Sequence, residues 1–242
     1  MNWHDRYTLQ ARWTRDLRAY LFEKAGLNDA QRVLEVGCGT GAILSDITAS
    51  ASLHGLDLAP AALAEAKIHA PGALLVHADA LSLPYTNFTF DITFCHFLLL
   101  WVRDPLQVAR EMARVTRPGG HVLALAEPDY SVRVDKPDSL ASLGKWQANA
   151  LRRQGADPSF GARLADTFAR AGIEIIETGT IQRSMSEAPR GERENEWAVL
   201  EADLAGTVAG EDIQKMKALD EQAWERGERV LFVPTYFAWG RV

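Results

Sequence analysis

The feature that most constrains this chain is the run Val33-Leu34-Glu35-Val36-Gly37-Cys38-Gly39-Thr40-Gly41, an apolar stretch that ends in three glycines on alternate positions. An apolar β-type segment followed by such glycines reads as a buried strand entering a tight turn. Its backbone can adopt positive φ and approach a ligand closely, with a helix expected from about Thr40. A structural strand–helix turn needs only one glycine, so three point to a binding loop. The run also fits the dinucleotide pattern, with Gly37, Gly39 and then Ala42, and with Asp57 twenty residues after Gly37.

The segments around the loop alternate. Strands are expected over 32–36, 52–56, 73–77, 90–95 and 121–126, with helices from about Thr40, over 60–70 and after Asp104. Asp104 has the character of an N-cap, with Pro105 at the first helical position. The apolar stripe Ala109, Met112, Ala113 and Val115 or Thr116 follows, and Pro118-Gly119-Gly120 is expected to end the helix. Such alternation predicts an α/β fold with a mostly parallel sheet and crossover helices on both faces. Thr8 to Gly26 reads as one amphipathic helix ahead of the first strand. After Asp129 the alternation gives way to polar helical sequence over 130–160, helix 160–171, strand 173–180, two charged helices over 187–227 and a last strand over 229–239. The chain is read as one domain, with a helical cap over 1–30, a cofactor-binding half over 31–130 and an acceptor-side half over 131–242.

With 242 residues, 47% hydrophobic and 24% charged, the chain is long enough for one large globular domain. Its 26 basic against 32 acidic residues give a net charge of −6, which disfavours nucleic acid as a partner. Cys38 and Cys95 are too few for a disulfide framework and lack metal-ligand spacing with the histidines, so no metal is expected and a reduced setting fits. Met1–Arg6 has no apolar signal region, and no apolar run approaches the roughly 18 residues of a membrane span, so a cytoplasmic protein is expected.

Three carboxylates bear on the ligand. Asp57, at the end of the second strand, can accept hydrogen bonds from both hydroxyls of a ribose. Glu35, just before the glycines, would repel a pyrophosphate but could take an ammonium group. It could equally be a solvated or capping carboxylate. Asp79-Ala80 after the third strand could meet an adenine through the Asp side chain and a backbone N–H, or simply form a turn.

Taken together, Val33–Gly41, Asp57, His77-Ala78-Asp79-Ala80-Leu81-Ser82-Leu83-Pro84, Phe90-Asp91-Ile92-Thr93-Phe94 and Arg117-Pro118-Gly119-Gly120 resemble the class I S-adenosylmethionine-dependent methyltransferases. The likeness is to the small-molecule branch that includes ubiquinone/menaquinone-type enzymes, and it covers about residues 30 to 130. It implies a Rossmann-like seven-stranded sheet with an antiparallel last strand and helical lid insertions, and S-adenosyl-L-methionine as cofactor. It further implies that Glu35 and the loop Gly37, Cys38, Gly39 and Gly41 hold the methionine part, Asp57 the ribose, and Asp79 and Ala80 the adenine. Leu58 and Phe97 would then pack on the adenosine.

Methyl transfer from a sulfonium needs alignment of donor and acceptor and exclusion of water, and a general base only where the acceptor must lose a proton. His96, beyond the fourth strand, is the candidate base, with an ordinary pKa near ~6.5; alternatively it touches the cofactor through its backbone. Glu127, Asp129 and Tyr130 share that edge. Cys95–Trp101 contains no Asn-Pro-Pro-Tyr-like segment of the kind the family's exocyclic-amine enzymes carry. Trp146, Arg152, Arg153, Trp197, Tyr236 and Trp239 are further pocket candidates, and Tyr130 and Arg152 are the choice for the acceptor. The expected activity is methyl transfer to a small molecule. The rival readings are a non-catalytic S-adenosylmethionine-binding protein and a nicotinamide-dependent oxidoreductase.

Overall fold

The computed structural model describes residues 3–181 and 189–242. The chain opens with two helices, α1 (Trp3–Trp13) and α2 (Arg15–Lys24), where periodicity predicts one. They part at Thr14, whose φ of −104° and ψ of 6° leave the helical region and whose hydroxyl donates to the Ala11 carbonyl at 3.2 Å. A threonine that satisfies a nearby carbonyl offers the backbone an alternative to continuing the helix. Gly26 ends this region at a φ of 74°, a conformation that glycine adopts without steric cost.

Next come β1 (Arg32–Val36), β2 (Ser52–Asp57), α3 (Pro60–His69), β3 (Leu74–His77), β4 (Phe90–Cys95) and α4 (Pro105–Val115). β1 pairs in parallel with both β2 and β4, and β2 with β3, as the alternation predicts. The Asp104 carboxylate accepts the Gln107 N–H at 3.0 Å, satisfying one orphan donor at the start of α4. Val108, Ala109, Met112, Ala113 and Val115 are all buried. α4 stops at Val115, and Pro118–Gly120 lies within the extended strand that follows.

The helix expected from Thr40 is replaced by a short turn. Ser45 donates its N–H to the Gly41 carbonyl at 2.9 Å, after which Leu44–Asp46 tightens into a single 3₁₀ turn. The Ser45 hydroxyl bonds the Ala42 carbonyl at 3.1 Å, and Asp46 is held by Arg18 at 2.8 Å. Side chains that bond local backbone or distant partners, followed by Thr48, Ser50 and Ser52, give the segment little reason to propagate a helix.

The remaining elements are β5 (Thr116–Pro128), β6 (Val134–Lys136), α5 (Ser142–Arg153), α6 (Leu164–Arg170), β7 (Glu174–Ile181), α7 (Arg190–Leu204), α8 (Gly210–Glu225), β8 (Val230–Phe232) and β9 (Thr235–Arg241). They complete a seven-stranded sheet of order β3-β2-β1-β4-β5-β9-β7, with β9 antiparallel to both β5 and β7. The single last strand read over 229–239 is two strands. Pro234, which has no N–H for a ladder, falls between them, and β8 pairs instead with β6 in a small separate sheet. α7 and α8 are the two charged helices; residues 187 and 188 of that reading lie outside the described residues. Leu34, Val36, Phe94, Val122, Leu123 and Ala124 are fully buried at the centre of the sheet. Among the described residues no helix is long and apolar enough to cross a membrane.

Candidate active site

A cavity of about 400 Å³ opens over the carboxyl ends of β1, β2 and β4, the edge where open α/β sheets bind ligands. Its floor is the glycine loop with Glu35 and Asp57, its roof is α1, and its far wall comes from α5 and α7.

Gly37 has a φ of 74°, and a Cβ there would stand 2.7 Å from Leu98 Cδ1, so the first glycine is required by both backbone and space. The N–H of Gly39 donates to Asp57 Oδ2 at 2.8 Å, while Oδ1 accepts the Ala59 N–H at 2.8 Å. Asp57 therefore braces the loop and retains lone pairs for a ligand. Gly41, with a φ of 77°, turns away from the cavity and faces Ala66 of α3 and Ala70 just beyond that helix. Cys38 lines the cavity, and burial pushes its thiol up, which leaves it un-ionised at neutral pH.

Glu35 is only 2% exposed, and its Oε2, which is buried at the cavity floor, has no hydrogen-bond partner. Burial raises its pKa well above the usual carboxylate range, with Arg18 opposing the rise and Asp57 adding to it. A buried carboxylate oxygen without a donor is costly unless a ligand supplies one. An ammonium group satisfies it, whereas a phosphate does not.

His96 lines the cavity with its Nε2 3.1 Å from the Thr14 hydroxyl. Burial, reinforced by the Arg18 guanidinium, lowers its pKa to about 3, so the ordinary value near ~6.5 assumed from sequence does not apply. Phe97 follows at a φ of 53°. This strained backbone is held by Glu127, which accepts the N–H groups of Leu98 and Leu99 at 3.0 Å each and of Leu100 at 3.3 Å. Glu127 is thereby engaged in holding the turn, and burial pushes its pKa up to about 7. Asp129 accepts both the N–H and the hydroxyl of Ser131. Of Glu127, Asp129 and Tyr130, Tyr130 is the one that reaches the cavity; burial, with Glu196 adding to it, pushes its phenol up to about 12.

Other sequence candidates lie elsewhere. Leu58 is 64% exposed, Asp79 is exposed and accepts the Leu81 N–H at 2.9 Å, and Ala80 is packed into the core. All three stay outside the cavity, although the Ala78 N–H donates to the Asp57 carbonyl at 3.2 Å and so keeps the end of β3 beside that of β2. Arg152 is exposed, bonds Asn149 at 3.0 Å and does not face the cavity, because it occupies the solvent side of α5. Conversely, α1 supplies Trp3, Arg6 and Tyr7, which sequence reading missed. Their three-to-four spacing puts them on one helix face, the only signal available in advance. Arg6 is buried, 3.2 Å from Glu196 of α7 and 5.0 Å from the Trp13 ring. Asp203 on the far wall accepts amide donors from Gln147 and Gln154, each at 3.1 Å. Among the described residues no group of three or more His, Cys, Asp or Glu could hold a metal ion.

Residues 34–124 match the family described as a methyltransferase domain. A demethylmenaquinone methyltransferase of Shouchella clausii is 33% identical over 133 residues, 51% of this chain and 55% of that protein. A ubiquinone biosynthesis O-methyltransferase of Vibrio cholerae is 39% identical over 113 residues, 43% of this chain and 44% of that protein. The chain thus spans about half the length of the curated relatives it matches. A Bacillus halodurans protein suggested to be a methyltransferase has the same fold, with a TM-score of 0.66 at 16% identity over 92% of this chain and 97% of that one. The cyclase SpnF superposes with a TM-score of 0.59 at 20% identity, over 93% and 79% of the two chains. The fold is that of the class I S-adenosylmethionine-dependent methyltransferases, and the match to the methyltransferase-domain family covers residues 34–124. S-adenosyl-L-methionine is the methyl donor of that family.

Proposed function

We propose that the protein transfers the methyl group of S-adenosylmethionine to a small-molecule acceptor. The observation that carries this reading is the buried, unpartnered Glu35 Oε2 at the floor of the cavity, a site built for a cationic amine. Glu35 and the backbone of Gly37, Cys38 and Gly39 would hold the amino-acid part, with Gly41 seating the loop on α3, and Asp57 the ribose. Phe97 would flank the adenosine, and Leu58, Asp79 and Ala80 would form the rim toward the base. When bound, S-adenosylmethionine would supply an electrophilic methyl group, which the acceptor's lone pair attacks in line while the S–CH3 bond breaks and S-adenosylhomocysteine leaves.

The chain's own contribution is alignment and dryness. α1 lies over the loop, with the Tyr7 ring 3.3 Å from where a Cβ on Gly39 would stand and His4 hydrogen-bonded to Thr40 at 2.9 Å. Tyr130 and His96, both uncharged at neutral pH, flank the space left for the acceptor. The nicotinamide reading loses support because residues 40–47 present a turn, not the helix N-terminus that cradles a pyrophosphate. A net charge of −6 favours a small acceptor over nucleic acid, and the two buried, free cysteines suit a reducing cytoplasm. The chain is read as one methyltransferase domain: 1–30 as cap, 31–130 as donor half and 131–242 as acceptor side.

Thermal unfolding with added ligand tests the reading. S-adenosylhomocysteine should raise the melting temperature and NAD should not, since a ligand bound only by the native state stabilises it by RT ln(1 + [L]/Kd). Stabilisation by NAD alone would overturn it. Because a cyclase shares the fold, release of S-adenosylhomocysteine from S-adenosylmethionine with candidate acceptors distinguishes turnover from mere binding.

A further inference from the structure

Beside the main cavity lies a smaller one of about 80 Å³. Arg6, Phe97 and Tyr130 are walls of both, so a molecule in the first reaches the second by passing these side chains. Trp13 at the end of α1, Leu231 of β8 and Val233 beyond it enclose much of the rest. Three polar groups on its walls are engaged: Arg6 is paired with Glu196 at 3.2 Å, the Thr14 hydroxyl meets His96 at 3.1 Å, and the Thr235 hydroxyl donates to the Val233 carbonyl at 3.1 Å. Such a chamber offers a ligand mainly hydrocarbon contact. At ~30 Å³ for each water-sized group it admits about three of them, the size of a branched alkyl group or one edge of an aromatic ring.

Charge narrows the ligand further. The main cavity carries the carboxylates of Asp57 and Asp203, whereas Arg6, the cation on its wall, is neutralised by Glu196. An anionic molecule would leave water for a site biased toward negative potential.

We propose that the smaller cavity is a subsite for the short apolar substituent of an uncharged or cationic methyl acceptor, entered between Phe97 and Tyr130. The inference rests on the methyltransferase reading for the role of the molecule that brings this group, but not for the binding itself.

The test is an NMR titration of the full chain with 3-methylbutan-1-ol and with its anionic counterpart 3-methylbutanoate, alongside calorimetry with S-adenosylhomocysteine. The alcohol should bind and shift the Trp13, Phe97 and Tyr130 signals, with the carboxylate at least tenfold weaker. Val233→Trp, which fills the chamber, should weaken the alcohol at least tenfold and leave S-adenosylhomocysteine affinity within twofold. Thr235→Phe fills it from another wall and serves if the first variant does not fold. Absence of alcohol binding, equal binding by the filled variants, or carboxylate binding as tight as the alcohol overturns the proposal. Failure of the methyltransferase reading looks different: the alcohol binds and S-adenosylhomocysteine does not.

Discussion

Thr14 Oγ1 lies 3.1 Å from His96 Nε2, so the break between α1 and α2 is hydrogen-bonded to the end of β4. Arg18 locks the break in place, donating to the Ala11 carbonyl at 2.6 Å, to Thr14 Oγ1 at 3.2 Å and to Asp46 at 2.8 Å. A buried guanidinium behind the imidazole's hydrogen-bond partner makes a second positive charge there unfavourable.

His96 should therefore remain neutral wherever the protein is folded. Its ring resonances followed by NMR from pH 5 to 8 should show no titration, in keeping with a pKa lowered to about 3. Arg18→Met should raise that pKa. A midpoint near ~6.5 in the wild type would restore His96 as an ordinary base and contradict the electrostatic account.

Glu127 links stability to pH. Its folded-state pKa of about 7 exceeds the ordinary 4.5, so the folded protein holds this proton more tightly than the unfolded chain. The stabilisation from the protonated carboxyl is complete below pH 4.5 and lost as pH rises through about 7. Glu127→Gln should flatten the fall in melting temperature across that interval. It should also cost roughly 1–3 kcal/mol, because an amide carbonyl cannot accept all three N–H groups. An unchanged slope in the variant would show that Glu127 is not the group responsible.

Asp57 braces the glycine loop and, in the proposed function, also holds the ribose. Asp57→Asn keeps one acceptor for the Gly39 or Ala59 N–H and should mainly weaken S-adenosylhomocysteine binding. Asp57→Ala leaves both N–H groups without their partner and should lower stability as well, by about 1–3 kcal/mol. Chemical denaturation and calorimetry on the pair separate the effects. Equal stability of the two variants would mean that the loop does not depend on this brace.

α1 bridges the glycine loop and the far wall of the cavity, touching Thr40 through His4 and Glu196 through Arg6. Hydrogen exchange over residues 3–13 should slow when S-adenosylhomocysteine is added, since closure over a ligand excludes water. Exchange unaffected by ligand would reduce α1 to a static cap.

The glycine-loop half is legible because its determinants are local. Three glycines, an apolar run and a Pro105 with its Asp104 cap each act within a few residues, and β1 and α4 form where those signals lie. Residues 40–47 defeated the reading because a glycine loop usually opens a helix, and only the Asp46–Arg18 pair, 28 residues apart, shows what competes. The split between β8 and β9 turns on Pro234, whose weight against a run of β-formers becomes clear once β6 is present to receive β8. Arg6, Gln147 and Asp203 line one cavity from α1, α5 and α7, and no spacing along the chain announces a wall assembled from three separate helices. Arg152 was misplaced for the related reason that helical periodicity gives neighbours on a face without saying which face is buried.

The central claim is that Glu35 Oε2 awaits an ammonium group, and calorimetric titration of the wild type and Glu35→Gln with S-adenosylhomocysteine tests it most directly. An ammonium partner favours the charged carboxylate, and in the free protein burial holds the Glu35 proton on. Binding should therefore release a proton and tighten as pH rises, and Glu35→Gln should lose that pH dependence. The variant should bind about ten- to a hundredfold more weakly, the equivalent of ~1.5–3 kcal/mol for a hydrogen bond to a charged group. An unchanged Kd in Glu35→Gln, with no proton released by the wild type, would contradict the account.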